Sequence, residues 1–183
     1  MLEADKENHI IATVSYIHQR TGFHEPPFSL QNFFNQFPGF KVIAARLPAG
    51  FDGELLIRGN DKIIRYRVES RDQSTRFTIA HEIAHCFLHH RENYHCRVNK
   101  RFRIYEAESA APKETEADFF ALELLVPLPL LNRIVRPLEH LNEKEIGSLA
   151  SELAQLFGIN TITMKSRLKD LAIYRKFDEA EWL

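Results

Sequence analysis

Cysteine is scarce, with only Cys86 and Cys96 in 183 residues. Two thiols cannot build the disulfide framework of a small secreted domain, and a reducing compartment suits the chain better. An excess of either charge is also lacking. Lys and Arg number 24 against 25 Asp and Glu, a formal net charge of -1. No strong overall field draws the chain to nucleic acid or to an anionic membrane, which leaves only a local basic face for such a role. Long apolar runs are missing too. The stretch Ala121–Leu131 is interrupted by Glu123, Pro127 and Pro129 and is too short to span a bilayer. The opening residues, Met1–Glu7, mix charges and lack the basic and apolar regions of a secretory leader. These absences lead to the expectation of a cytoplasmic protein with no membrane role. What is present is ordinary globular composition, 44% hydrophobic and 27% charged, in a chain long enough to bury a core unaided.

Patterning gives a coarse order of elements. Ile10, Ile11, Val14 and Ile17 at helical spacing predict a helix over 5–20. Ser29 is placed to cap a short helix reaching about Gln36. Phe40–Leu47 reads as a strand ended by Pro48 and Gly50. Two β-rich runs, 54–58 and 62–68, flank Gly59-Asn60-Asp61 as a hairpin. Alternation in the second run suits a half-exposed strand near a sheet edge. Helices are expected from Ser74 or Thr75 to about His90, from Glu114 to just before Pro127, and over 128–136, 143–157 and 161–172. Residues 91–113 are basic and irregular, and a polar tail closes the chain. The fold class expected is α+β: a small antiparallel or mixed sheet packed on helices that carry a metal-site motif, followed by a helix-turn-helix-like helical segment. The boundary is drawn at 1–136 and 137–183.

The motif is His81-Glu82-Ile83-Ala84-His85. On a helix His81 and His85 share a face, about 6 Å apart along the axis. Two imidazoles so placed can converge on one zinc at about 2.0–2.1 Å. Glu82 lies about 100° round the helix and reaches a water at the metal rather than the metal, the general-base position of H-E-x-x-H hydrolases. Three fixed positions in five arise by chance, and ordinary surface histidines are the bland explanation. The apolar helix around them, Phe77 to Leu88, argues for use, because an embedded Glu and two His are costly to bury idle.

A third ligand is needed. His89 lies two turns from His81, about 12 Å along the axis, and reads as a second-layer or surface residue. Leu88 and Arg91 stand where a metzincin needs Gly and His, which excludes that class. A glutamate from a second helix is the other solution, and Glu114-Thr115-Glu116-Ala117-Asp118 supplies one. Glu114 and Asp118 share a face, with Ala117 and Ala121 close to it. Glu114 is read as the third ligand, Asp118 as the acceptor that fixes a ligand histidine's tautomer, and Glu116 as solvated. Exchange of Glu114 and Glu116 is the main rival assignment. The bland reading is an acidic helix N-terminus favoured by the dipole.

Arg76-Phe77-Thr78-Ile79-Ala80-His81-Glu82-Ile83-Ala84-His85, then Glu114-Thr115-Glu116-Ala117-Asp118-Phe119-Phe120-Ala121, then Leu124-Leu125-Val126-Pro127, resembles the ImmA/IrrE family of metallo-endopeptidases. That family shows R-F-T-x-A-H-E-x-x-H, E-x-E-A-N/D-x-F-A and L-L-x-P in this order, and the resemblance spans about 25–175. It implies a gluzincin-like core, zinc held by His81, His85 and Glu114, and Glu82 as base. It also implies a substrate class, helix-turn-helix repressors, whose cleavage relieves repression. The chain departs from the pattern in having Asp118 where Asn is common and a second Phe at 119, and in a basic 91–113 segment that matches no family block. A sensor, if the protein answers a signal, is expected elsewhere than in these residues.

Leu149 to Leu171 carries helix-turn-helix spacing through Ala154 and Gly158, with Lys165, Arg167 and Lys169 on its second helix. Major-groove contact is one reading. A helical appendage packed on the core or docking a substrate is the favoured one, given the net charge and the acidic Asp178, Glu179 and Glu181. The expected activity is metal-assisted peptide hydrolysis of a protein substrate, with zinc as the metal and manganese the alternative. Substrate would pair with a sheet edge, such as 63–68, and Tyr94, His95 and Tyr105 are candidates to assist the oxyanion. Two rivals remain: a metal-containing transcription regulator, and an interaction module of the toxin–antitoxin type that cuts nothing.

Overall fold

The computed structural model describes residues 2–68, 72–89, 94–97, 112–135 and 143–180. In chain order these form α1 (Ala4–Thr21), α2 (Leu30–Gln36), β1 (Phe40–Ala45), β2 (Phe51–Arg58), β3 (Asp61–Arg67), α3 (Asp72–Leu88), β4 (Tyr94–Arg97), α4 (Pro112–Leu125), α5 (Leu128–Ile134), α6 (Glu143–Phe157) and α7 (Thr161–Ala180). The class is α+β, with a mixed sheet and a C-terminal helical pair.

Local chemistry accounts for most boundaries. Ser29 Oγ accepts from Asn32 N–H at 3.1 Å and starts α2. Gly22 takes the left-handed conformation, φ 65°, and ends α1. Pro112 occupies the first position of α4, where its missing N–H costs nothing. The two-residue Gly59-Asn60 loop, with Gly59 at φ 60°, joins Arg58 to its partner Asp61 across the β2–β3 hairpin. The helix α3 begins at Asp72, earlier than the expected Ser74 or Thr75, and Ser74 sits inside it, accepting from Thr78 Oγ1 at 3.0 Å.

The sheet order is β1-β3-β2-β4, with β1 parallel to β3 and the other neighbours antiparallel. This corrects the expectation that 63–68 lie at an edge. Strand β3 is bonded on both sides, so it offers no free ladder to a substrate. Its alternation has another cause: Arg65 and Arg67 pair across the sheet with Glu54 and Asp52, which gives one face polar residues although both neighbours are strands. Register slips between Phe51 and Gly53 opposite β4, a bulge in β2.

Helix α3 lies against β2 and β3 on one side and α4 on the other. It is buried almost all round, which explains why no single apolar stripe marks it. Helices α3 and α4 pack against each other, and Ala80 and Ala84 of the first and Ala117 and Ala121 of the second are all without solvent exposure. Small side chains on both helices permit close approach. Phe33, Phe37, Phe40, Phe87 and Phe120 form an aromatic cluster that pins the C-terminal half of α3, with Phe33 and Phe37 stacked at 4.7 Å.

The last helices join the same core through Leu153, Phe157, Ile159, Met164, Leu168 and Leu171. Asn160 Oδ1 accepts from Thr163 N–H at 2.8 Å and caps α7. Arg167, expected among the basic residues of this helix, is instead 1% exposed. Its Nε donates to Val126 O at 2.9 Å and its guanidinium pairs with the buried Glu123 carboxylate. Only Lys165 and Lys169 of that trio face solvent.

Candidate metal centre

His81 and His85 project from α3 one turn apart, and Glu114 projects from the first turn of α4. His81 Nε2 and His85 Nε2 stand 3.0 Å apart. Glu114 Oε2 is 3.3 Å from His81 Nε2, and its Oε1 is 3.4 Å from His85 Nε2. One ligand atom from each residue lies within 4.8 Å of the others, so the three could hold a metal ion. Both histidines are buried, as is Glu82 between them in sequence. Glu114 is 37% exposed and opens the site to solvent.

Hydrogen bonding decides what these atoms offer. Asp118 Oδ1 lies 2.8 Å from His81 Nδ1. The carboxylate accepts, so His81 Nδ1 carries the hydrogen and Nε2 keeps its lone pair in the neutral ring. Two imidazole nitrogens and a carboxylate converging on one point as acceptors repel unless a cation lies among them. Two nitrogens bound at about 2.0–2.1 Å in a tetrahedral set stand about 3.3 Å apart, close to the 3.0–3.4 Å found. The residues therefore fit a metal ion held by two imidazoles and a carboxylate. Burial depresses the His85 pKa from 6.5 to about 4, an effect that Glu114 opposes and His81 adds to. A neutral imidazole and an ionised carboxylate are the forms that bind metal.

Glu82 faces β2. A Cβ added at Gly53 would lie 2.5 Å from Glu82 Oε1 and 2.7 Å from Thr78 Cγ2. Gly53 is not in the left-handed region, so space, not backbone conformation, requires glycine there. The strand thus runs directly over the Glu82 carboxylate, beside the bulge. Gly53 lies just before the run expected to begin at Glu54, but β2 starts at Phe51 and takes the glycine into the strand.

Glu116 corrects another expectation. It is not solvated but 14% exposed, with Oε2 2.8 Å from His89 Nε2 and Oε1 2.8 Å from Lys6 Nζ. His89 in turn reaches His85, Nδ1 to Nδ1, at 3.1 Å. Arg76 also has a place: Nη2 donates to Phe28 O at 2.6 Å, and its Nε lies 2.8 Å from where a Cβ on Gly158 would stand, under the α6–α7 turn. Cys86 is a free, buried thiol raised to about 11 by burial, which makes it unreactive. Of the oxyanion candidates, Tyr94 and His95 fall on β4, while Tyr105 lies outside the described residues, as do Glu181 and most of 91–113.

A helix bearing two histidines and a glutamate, crossed by a second helix bearing a carboxylate and backed by a small mixed sheet, defines a protein of the metallopeptidase type. Residues 38–169 match the model of the IrrE N-terminal-like domain, Peptidase_M78, and the chain belongs to that family. This agrees with the resemblance to the ImmA/IrrE family read from the motifs, and the family implies a metal ion. No curated protein matches the chain. No helix among the described residues is long and apolar enough to cross a membrane.

Proposed function

We propose that this chain is a zinc-dependent endopeptidase of the cytoplasm that cuts a protein substrate, a helix-turn-helix repressor, and so acts as an anti-repressor. The observation that carries this is the convergence of His81 Nε2, His85 Nε2 and the Glu114 carboxylate, with His81 oriented by Asp118. In this reading His81, His85 and Glu114 hold the ion, and Asp118 sets the tautomer of His81. Residues 1–136 form the catalytic unit, and 137–183 a helical segment docked on it. The repressor as substrate rests on the family resemblance alone.

Zinc, when bound, supplies Lewis acidity that makes a water nucleophilic and polarises the scissile carbonyl. The chain's own residues do the rest. Glu82 accepts the proton of the attacking water at its carboxylate and returns it to the leaving amine. Burial beneath β2 fixes that carboxylate in position, since Gly53 leaves it no spare room. Glu114, the most open of the ligands, faces the side from which a peptide enters.

The test is cleavage profiling. Zinc-loaded wild type and Glu82→Gln are incubated with a proteome-derived peptide library and with helix-turn-helix repressors encoded beside the gene, and products are read by mass spectrometry. New termini made by wild type and absent with Glu82→Gln are expected. Regulation lost in Glu82→Gln cells while metal is retained would agree. Repressor bound but never cut by a zinc-loaded wild type would transfer the function to the non-proteolytic interaction module.

A further inference from the structure

The two histidines of the site are supported differently. His81 Nδ1 meets the Asp118 carboxylate directly, whereas His85 Nδ1 meets a second histidine, His89, which leads on to a carboxylate and a lysine from other parts of the sequence. Lys6 Nζ donates to Glu116 Oε1 at 2.8 Å. Glu116 Oε2 stands 2.8 Å from His89 Nε2. A carboxylate only accepts, so His89 Nε2 carries the hydrogen and the neutral ring has its lone pair at Nδ1. That lone pair stands 3.1 Å from His85 Nδ1 and accepts its hydrogen. His85 Nε2 is then left as an acceptor, facing His81 Nε2 and Glu114. Each link has one allowed direction, and the sequence of donors and acceptors is consistent from the lysine to the ligand atom.

The anchor of this chain lies on α1. Lys6 is 110 residues from Glu116 and falls before residue 38, where the family match begins. Helix α1 packs against α4 and buries Ile10, Val14 and Ile17, which fixes the backbone that carries Lys6, while the half-exposed lysine side chain is held by its pair with Glu116. Without Lys6, Glu116 would lose the partner that fixes it toward His89.

We propose that Lys6, Glu116 and His89 are positioning residues that set the tautomer and orientation of His85, so that helix α1 governs how tightly the site holds its metal. The proposal rests on the reading of His85 as a ligand. Residues one layer outside a metal commonly change its affinity by ~10–100-fold.

The experiment is a zinc titration of the full chain against a chromophoric chelator, with the melting temperature of the metal-free form measured beside it. His89→Leu is expected to weaken zinc binding by ~10–100-fold. Glu116→Gln and Lys6→Met should each weaken it by a smaller factor, and Lys6→Arg should restore it, all without a matching fall in melting temperature. Because the residues act in series, Lys6→Met should add nothing to His89→Leu. Wild-type affinity in both His89→Leu and Glu116→Gln overturns the proposal. So does a full Lys6→Met effect in the His89→Leu background, which would reduce Lys6 to docking α1. A wild type that takes up no zinc, or a His85→Ala variant that binds as wild type, would instead overturn the metal-site reading beneath it, and the relay with it.

Discussion

Gly53→Ala is a change of one methyl group on a strand that supplies no ligand. It should nonetheless damage catalysis while sparing the metal. The new Cβ would start 2.5 Å from Glu82 Oε1, 2.7 Å from Thr78 Cγ2 and 3.2 Å from Glu82 Cδ. Carbon and its neighbours settle at about 3.5 Å, so the carboxylate or the strand must retreat by about 1 Å. Both Glu82 and Thr78 are buried, and overpacking of this kind costs about 1–3 kcal/mol. A base displaced by about 1 Å loses on the order of 10²-fold in rate. The three atoms nearest the added carbon belong to Glu82 and Thr78, none of them to His81, His85 or Glu114. The expected outcome is a fall in kcat of about that size on a peptide found by cleavage profiling, a lower melting temperature and one zinc per chain as before. A Gly53→Ala enzyme with wild-type turnover would refute the placement of Glu82 as the base beneath β2. Loss of zinc in parallel with activity would refute the claim that strand and ligands are independent.

Asp118→Ala should weaken zinc binding by ~10–100-fold through the freed His81 ring, visible in the same competition titration, with the fold retained by circular dichroism. Arg167→Met leaves the Glu123 carboxylate buried and should cost about 3–5 kcal/mol in denaturant unfolding, while adding Glu123→Gln should recover part of it; an unchanged midpoint would show that the pair does not hold α7 to α4. His18 donates to Leu124 O at 2.9 Å and has its pKa lowered by burial, against the opposing pull of Leu124 and Glu123. A histidine near 6.5 when unfolded and lower when folded contributes stability that is full above 6.5 and lost as pH falls toward the folded value. In the metal-free chain His85 acts in the same sense between 6.5 and about 4. Chemical denaturation at pH 7.5 and 5.5 should therefore show a loss on acidification that His18→Gln reduces, and an equal slope in the two proteins would refute the assignment to His18.

The motif-bearing helices were legible because the information is local. Helical spacing alone puts His81 beside His85 and Glu114 beside Asp118, and Ala117 and Ala121 mark where the second helix comes close. Most helices follow their expected bounds for the same reason, but β4 lies in a segment that reads as irregular, and α7 continues to Ala180, well past the expected end at 172, because neither a four-residue edge strand nor a polar helix end carries a strong local pattern. Sheet order was not legible: the alternation of Ile64 and Tyr66 with Arg65 and Arg67 looks the same whether solvent or a cross-strand carboxylate meets the arginines. The environment of Glu116 is not legible, because a helical wheel shows which way a residue points but not that Lys6 and His89 meet it there. The burial of Arg167 is hidden on similar grounds, since its partner Glu123 lies 44 residues away, and a basic residue on an amphipathic helix is exposed by default. Gly53 stands outside the β-rich run that begins at Glu54, so its bulge and its close approach to Glu82 become visible only once β2 is seen to start at Phe51.

Metal content measured by elemental analysis after dialysis tests the central claim most directly, on wild type, His85→Ala, Glu114→Ala and Glu82→Gln. The account predicts about one zinc per chain in wild type and Glu82→Gln and none retained by His85→Ala or Glu114→Ala. Zinc retained in full by His85→Ala, or a wild type that holds none even after zinc is added, would contradict it.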